Sequence, residues 1–255
     1  MPSADGPLHG VGAGDVLAAC LHLLFPTPCH IFQGPLDIGR VSALCGRCWG
    51  GLERMPLQGC LRCGWPFPDP AGIRGAEAPL CQRCRERRDH FRVARAVLRY
   101  RDEGIARAAI LLAKHGRRLS LLRQLARLLA DAVPDYLSLR DWDGLAPVPL
   151  HWIRRWRRGF NQAEVLARAV GRRHGLPVLR RALARVRATP RQQGDFEARR
   201  SNVRDAFAVR ADVAGRRLLL VDDVFTTGAT VDACAATLRR AGAADVGVVT
   251  LARVE

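Results

Sequence analysis

The residues in this chain whose types and order can do chemistry are two adjacent carboxylates, Asp222 and Asp223, and the hydroxyl-rich turn Thr226, Thr227, Gly228, Ala229 and Thr230. A turn that opens a helix leaves several backbone N–H groups unpaired, with the positive end of the helix dipole behind them. Such a turn favours a phosphate. Gly228 lets the backbone close around an anion, and the threonine hydroxyls add donors. Two carboxylates beside that cradle would repel a phosphate unless they face something else. Vicinal sugar hydroxyls and a magnesium ion are the partners that anionic oxygen favours. The stretch therefore reads as a pocket for a phosphorylated sugar, anion at one end and diol at the other. The plainer reading is a buried strand, solvated acids and a threonine-capped helix.

The elements around this stretch must hold it in place. Leu218–Val221 is an apolar run without polar alternation, as in a strand buried on both faces of a parallel sheet, and the acids would sit at its carboxyl end. Val231–Arg240 has helical spacing and Gly242 as a stop. Upstream, Val93–Tyr100 and Gly144–Leu150 read as strands, as does Asp245–Leu251 downstream. Ile105–Ala113 and Leu119–Val133 read as helices, the second ended by Pro134, with Lys114–Arg118 a basic loop between them. A further helix runs through about His174. Strand–helix alternation predicts an α/β fold with a mostly parallel sheet flanked by helices. No GxxxxGK[ST] occurs, which excludes a P-loop nucleotide hydrolase as far as motifs can.

Seven of the nine cysteines lie between Cys29 and Cys84, six of them as C-x-x-C pairs: Cys45/Cys48, Cys60/Cys63 and Cys81/Cys84. In a reducing compartment such pairs read as zinc knuckles, two knuckles completing a tetrahedron around one Zn²⁺. Cys60, Cys63, Cys81 and Cys84 make one complete structural site. Cys29, Cys45 and Cys48 would make a second, but Phe32 stands where its fourth ligand is expected, and His30 adjoins Cys29. Pairing Cys45/Cys48 with Cys60/Cys63 is the second choice, and a redox dithiol is the rival chemistry. Residues 1–90 are expected to form an N-terminal helix and zinc-ribbon domain, and residues 91–255 the α/β domain.

The formal charge is +17, and Lys114 is the only lysine. His151–Arg200 alone carries fourteen arginines against three acids, which favours phosphate-rich ligands or nucleic acid. In its first part Arg154, Arg155 and Arg158 interleave with Trp152 and Trp156. These arginines can clamp a pyrophosphate or, with the tryptophans, stack on single-stranded bases; a solvated basic face is the alternative. Leu183–Asp205 is polar and reads as a lid or a disordered segment. Val16–Phe25 is too short to span a bilayer, and the acids before it are the wrong flank for a signal peptide. A cytoplasmic location is expected.

The order of acids, apolar residue and x-Thr-Thr-Gly-x-Thr in VDDVFTTGAT resembles the phosphoribosyl-pyrophosphate (PRPP) signature of type I phosphoribosyltransferases. Taken with the cysteine knuckles, Lys114, PVPLH, RRGFNQAE, RATPRQ and RRSNVRDAF in that order, the chain resembles the ComF family from Cys29 onward. Phe32 and His115 depart from the family pattern. The resemblance implies a bacterial zinc-ribbon protein with a type I phosphoribosyltransferase-like domain. It further implies Mg²⁺–PRPP binding and a cytoplasmic part in DNA uptake during natural competence, with single-stranded DNA and other uptake proteins as partners. Asp222 and Asp223, the catalytic carboxylates of a transferase, would hold the ribose and Thr226–Thr230 the 5′-phosphate. Arg154, Arg155 or Arg158 would take the pyrophosphate. A DNA-binding protein that keeps the PRPP site as a sensor or relic is the alternative.

Overall fold

A computed structural model describes residues 28–34, 36, 43–67, 79–115, 118–150, 159–187 and 206–255. They divide into two compact units, Met1–Gly51 and Leu52–Glu255. In the first, the short helix α1 (Gly46–Gly50) follows Cys45 and buries Cys48.

In the second unit, α2 (Gln82–Glu86) precedes strand β1 (Val93–Tyr100). Helices α3 (Ile105–His115) and α4 (Leu119–Tyr136) lead to β2 (Gly144–Pro147) and α5 (Gln162–His174). Then come β3 (Leu183–Arg185), β4 (Phe207–Val209), β5 (Arg217–Phe225), α6 (Ala229–Arg240) and β6 (Asp245–Val254). Four strands form a parallel sheet in the order β1-β6-β5-β2, and β3 pairs with β4 antiparallel. Leu218, Leu219, Leu220 and Val221 are each 0% exposed. Alternate side chains point to opposite sides, so both faces of β5 are covered. Burial of this kind contributes about 1.5–3 kcal/mol per large aliphatic side chain, which makes β5 a firmly seated strand and a rigid mount for the acids and the turn at its end.

Several boundaries differ from expectation. Strand β5 runs through the two acids to Phe225, because β6 keeps pairing with it as far as Phe225 opposite Arg253. On the other side β2 stops at Pro147, opposite Val221. A cleft opens beside the acids where β2 ends. Helix α3 continues through Lys114 to His115, so Lys114 is on a helix and not in a loop. Helix α4 continues past Pro134 to Tyr136. Proline there cannot donate to the carbonyl of Ala130 four residues back, but His174 Nε2 lies 2.7 Å from that oxygen and takes its place.

The start of α5 is tied down by the Asn161 side chain. Its Oδ1 accepts from Ala163 N at 3.2 Å, and its Nδ2 donates to Val148 O at 3.0 Å. Asparagine thus caps the helix and fastens it to the chain just beyond β2. Among the described residues, no helix is long and apolar enough to cross a membrane.

Candidate sugar-phosphate site and metal centres

Beyond the end of β2 lies a cleft of about 260 Å³ whose walls include Lys114, Asn161, Arg185, Asp222, Asp223 and Gly228. Thr226 and Thr230 line the same cleft. The structure thus brings the two carboxylates and the turn into one pocket. Asp223 Oδ2 lies 2.9 Å from Lys114 Nζ, with both side chains mostly buried. Asp222 Oδ1 accepts the Asp223 backbone N–H at 2.9 Å. Burial, and then the charge of Asp223, push the Asp222 carboxyl up to about 7, against the pull of that N–H, Lys114 and Arg185. Two neighbouring carboxylates out of water do not both ionise readily without a cation or a hydrogen-bond donor. The pair is electrostatically suited to receive one.

The turn has the complementary character. Gly228 caps α6 with φ +81°, and a Cβ there would lie 2.7 Å from Phe225 Cζ, so glycine is required on both counts. Among the described residues, the amides of Thr226, Thr227 and Gly228 find no backbone acceptor. Ala229 N lies 3.5 Å from Thr227 Oγ1, a weak contact, and Ala229 itself is buried at the start of α6. Donors here and acceptors at the acids give the pocket two poles, as a phosphorylated diol has.

Arg154, Arg155 and Arg158 lie outside the described residues, as does most of the expected lid. The first three residues of that expected lid are strand β3, because the chain returns as β4 to pair with them. Arg185 of β3 thereby enters the cleft. Lys114 is the cleft residue that the local sequence undersold; its being the sole lysine among so many arginines was the available signal. An ammonium is the cation that a carboxylate can share with an incoming ligand, being compact and mobile on its stem.

The cysteines form two groups. In the second unit the sulfurs of Cys60, Cys63, Cys81 and Cys84 all lie within 4.8 Å of one another. A tetrahedral Zn²⁺ with Zn–S bonds of about 2.3 Å places sulfurs roughly 3.8 Å apart, and Cys63 Sγ and Cys81 Sγ are 3.6 Å apart. The donor set fits zinc. As thiols, the four already lean on one member: hydrogen bonds from Cys63 and Cys84 lower Cys60, while hydrogen bonds with Cys60 and Cys63 raise Cys84. Cys29, Cys45 and Cys48 gather in the first unit, with Cys29 Sγ and Cys48 Sγ 3.4 Å apart. Among the described residues no fourth His, Cys or carboxylate joins them. Phe32 is exposed, with the Arg47 guanidinium over its ring at 4.5 Å. The grouping of Cys45/Cys48 with Cys60/Cys63 is not the one observed.

A parallel sheet with two acids and a glycine–hydroxyl turn at the end of a central strand defines a type I phosphoribosyltransferase-like protein. In agreement, the family described as "Phosphoribosyl transferase domain" matches residues 157–255. The chain belongs to the ComF family. It is 32% identical over 240 residues to the DNA utilization protein YhgH of Escherichia coli strain K12, covering 91% of this chain and 99% of that one. It is 39% identical over 138 residues to competence protein F of Haemophilus influenzae, covering 51% of this chain and 60% of that protein. Among solved structures, glutamine PRPP amidotransferase from B. subtilis aligns with 51% of this chain and 25% of its own, at 24% identity and a TM-score of 0.35.

Proposed function

We propose that this protein binds PRPP with Mg²⁺ in the cleft at the end of β5 and that it serves the handling of incoming DNA, as the names of its relatives suggest for them. Asp222 and Asp223 accept hydrogen bonds from the ribose hydroxyls and favour the cation, while Thr226–Thr230 take the 5′-phosphate. Arg154, Arg155 and Arg158 stand in the sequence between Leu150 and Asn161, which both line the cleft, and they take the pyrophosphate. Lys114 neutralises Asp223 before Mg²⁺ arrives. The four-cysteine cluster holds structural Zn²⁺, and the three-cysteine group is a candidate second site. The arginine–tryptophan stretch is the candidate contact for single-stranded DNA, in a cytoplasmic setting.

The observation that carries this reading is the meeting of a carboxylate pair and a turn with unspent amides in one cleft. For transfer, an acceptor's lone pair bonds to C1 of the ribose as the C1–O bond breaks and its electrons leave with pyrophosphate. The residues here contribute positioning and charge. Calorimetry with Mg²⁺–PRPP tests the site. Saturable binding to the wild type is expected, weakened at least tenfold in Asp222→Ala/Asp223→Ala. No binding by folded wild type, or equal binding by the double variant, overturns the proposal. A pyrophosphate-release assay with single-stranded DNA and with small amines then separates a transferase from a binding protein that performs no turnover.

A further inference from the structure

The four-cysteine cluster is joined to the phosphate turn by three independent contacts. First, Arg253 on β6 is 2% exposed and donates through NH1 to Cys63 O, with NH2 3.8 Å from Cys63 Sγ. Its guanidinium lies over the Phe225 ring at 4.6 Å, and Phe225 is the floor against which Gly228 packs. Second, Arg83, between Cys81 and Cys84, reaches the turn itself. A Cβ built on Gly228 would lie 3.2 Å from Arg83 NH2. Third, the segment after that knuckle holds the first turn of α6, His90 N donating to Asp232 Oδ1 at 2.6 Å.

The knuckles are also rooted in the sheet. Ala94 N donates to Arg62 O at 2.6 Å, and Arg95 NH2 donates to Leu61 O at 3.0 Å. Arg62 NH1 in turn donates to Cys84 O at 2.9 Å and links the two knuckles. The cluster is therefore part of the wall around the turn.

From this geometry we infer that Arg83 is a phosphate-binding residue: its guanidinium donates to the 5′-phosphate seated on residues Thr226–Thr230. A metal held by the four thiols keeps that guanidinium in place. The inference rests on the sugar-phosphate reading of the cleft. Backbone amides alone offer partial charges to the anion, and a guanidinium adds a full one in a planar, pre-organised fork. Cys81 and Cys84 bracket Arg83, so metal ligation fixes the backbone on both sides of it.

The test is calorimetry of the full chain with three probes: Mg²⁺–PRPP, ribose 5-phosphate, and Mg²⁺–pyrophosphate. Arg83→Ala is expected to weaken PRPP and ribose 5-phosphate about tenfold to a hundredfold and to leave pyrophosphate unchanged, with Arg83→Lys intermediate. Arg85→Ala, an exposed arginine of the same knuckle, removes the same charge and is expected to change nothing. Chelator-stripped protein that keeps its far-ultraviolet circular dichroism should lose ribose 5-phosphate as Arg83→Ala does. Wild-type binding retained in Arg83→Ala, an equal loss in Arg85→Ala, or a loss confined to pyrophosphate overturns the inference and leaves the cleft reading standing. Failure of the wild type to bind any probe overturns the cleft reading instead. Arg83→Lys guards against a folding defect, since it keeps the charge and the stem and changes only the fork.

Discussion

The two cysteine groups share a knuckle chemistry and differ in what surrounds it. Around Cys60, Cys63, Cys81 and Cys84, four thiols converge and their carbonyls and sulfurs are held by Arg62, Arg95 and Arg253. Around Cys29, Cys45 and Cys48 there are three thiols, and the residue where a fourth ligand was expected, Phe32, lies in the open under an arginine. Ligand count sets whether a metal site is closed. Embedding sets whether losing the metal reaches anything else. A Zn²⁺ held by the four thiolates would carry a net negative charge, which these guanidiniums would offset.

The largest expected effect breaks that comparison if it fails. Cys84→Ser should release the metal of the four-cysteine cluster, destabilise the protein by several kcal/mol, and weaken sugar-phosphate binding at least as much as Arg83→Ala does. Zinc content by atomic emission, thermal melts and ribose 5-phosphate calorimetry check the three parts. Cys48→Ser, the smallest effect, should change the melting temperature little and leave ribose 5-phosphate binding as in the wild type. Equal losses from the two variants would mean that the clusters are not different in kind.

Between these lies a variant that removes sugar recognition without touching a thiol. Burial, and then the charge of Asp223, raise the Asp222 carboxyl to about 7 in the fold. A carboxyl raised in the folded state contributes stability that is full below its ordinary range near 4. That contribution is lost as pH rises through about 7. Asp222→Asn should therefore be more stable than wild type at pH 8, by about 1–3 kcal/mol, with the difference shrinking by pH 4; thermal melts at the two pH values check it. Its Mg²⁺–PRPP binding should be lost at both pH values. Wild-type binding should strengthen from pH 6 to pH 8 as the carboxylate becomes available. A melting difference that does not change with pH would remove Asp222 from this role.

The acids and the turn were legible in the sequence because the site is contiguous: one strand end and one helix start hold both poles. Its supports were not legible, because they come from far along the chain. Lys114 meets Asp223 only when α3 runs further than its apolar pattern suggests. Arg83 reads locally as charge balance for thiolates, and its nearness to Gly228 exists only in the fold. The reach of β5 past its apolar run depends on pairing with β6. Helix α4 passes Pro134 because a histidine on a different helix meets the carbonyl that proline abandons. In each case the deciding partner is distant in sequence.

The most direct measurement is a crystal structure of the protein with Mg²⁺–PRPP bound. The 5′-phosphate is expected on the amides of Thr226–Thr230 with Arg83 in hydrogen-bond reach, and the ribose hydroxyls on Asp222 and Asp223. A phosphate held elsewhere, with the two aspartates turned to other partners, would contradict the sugar-phosphate cleft.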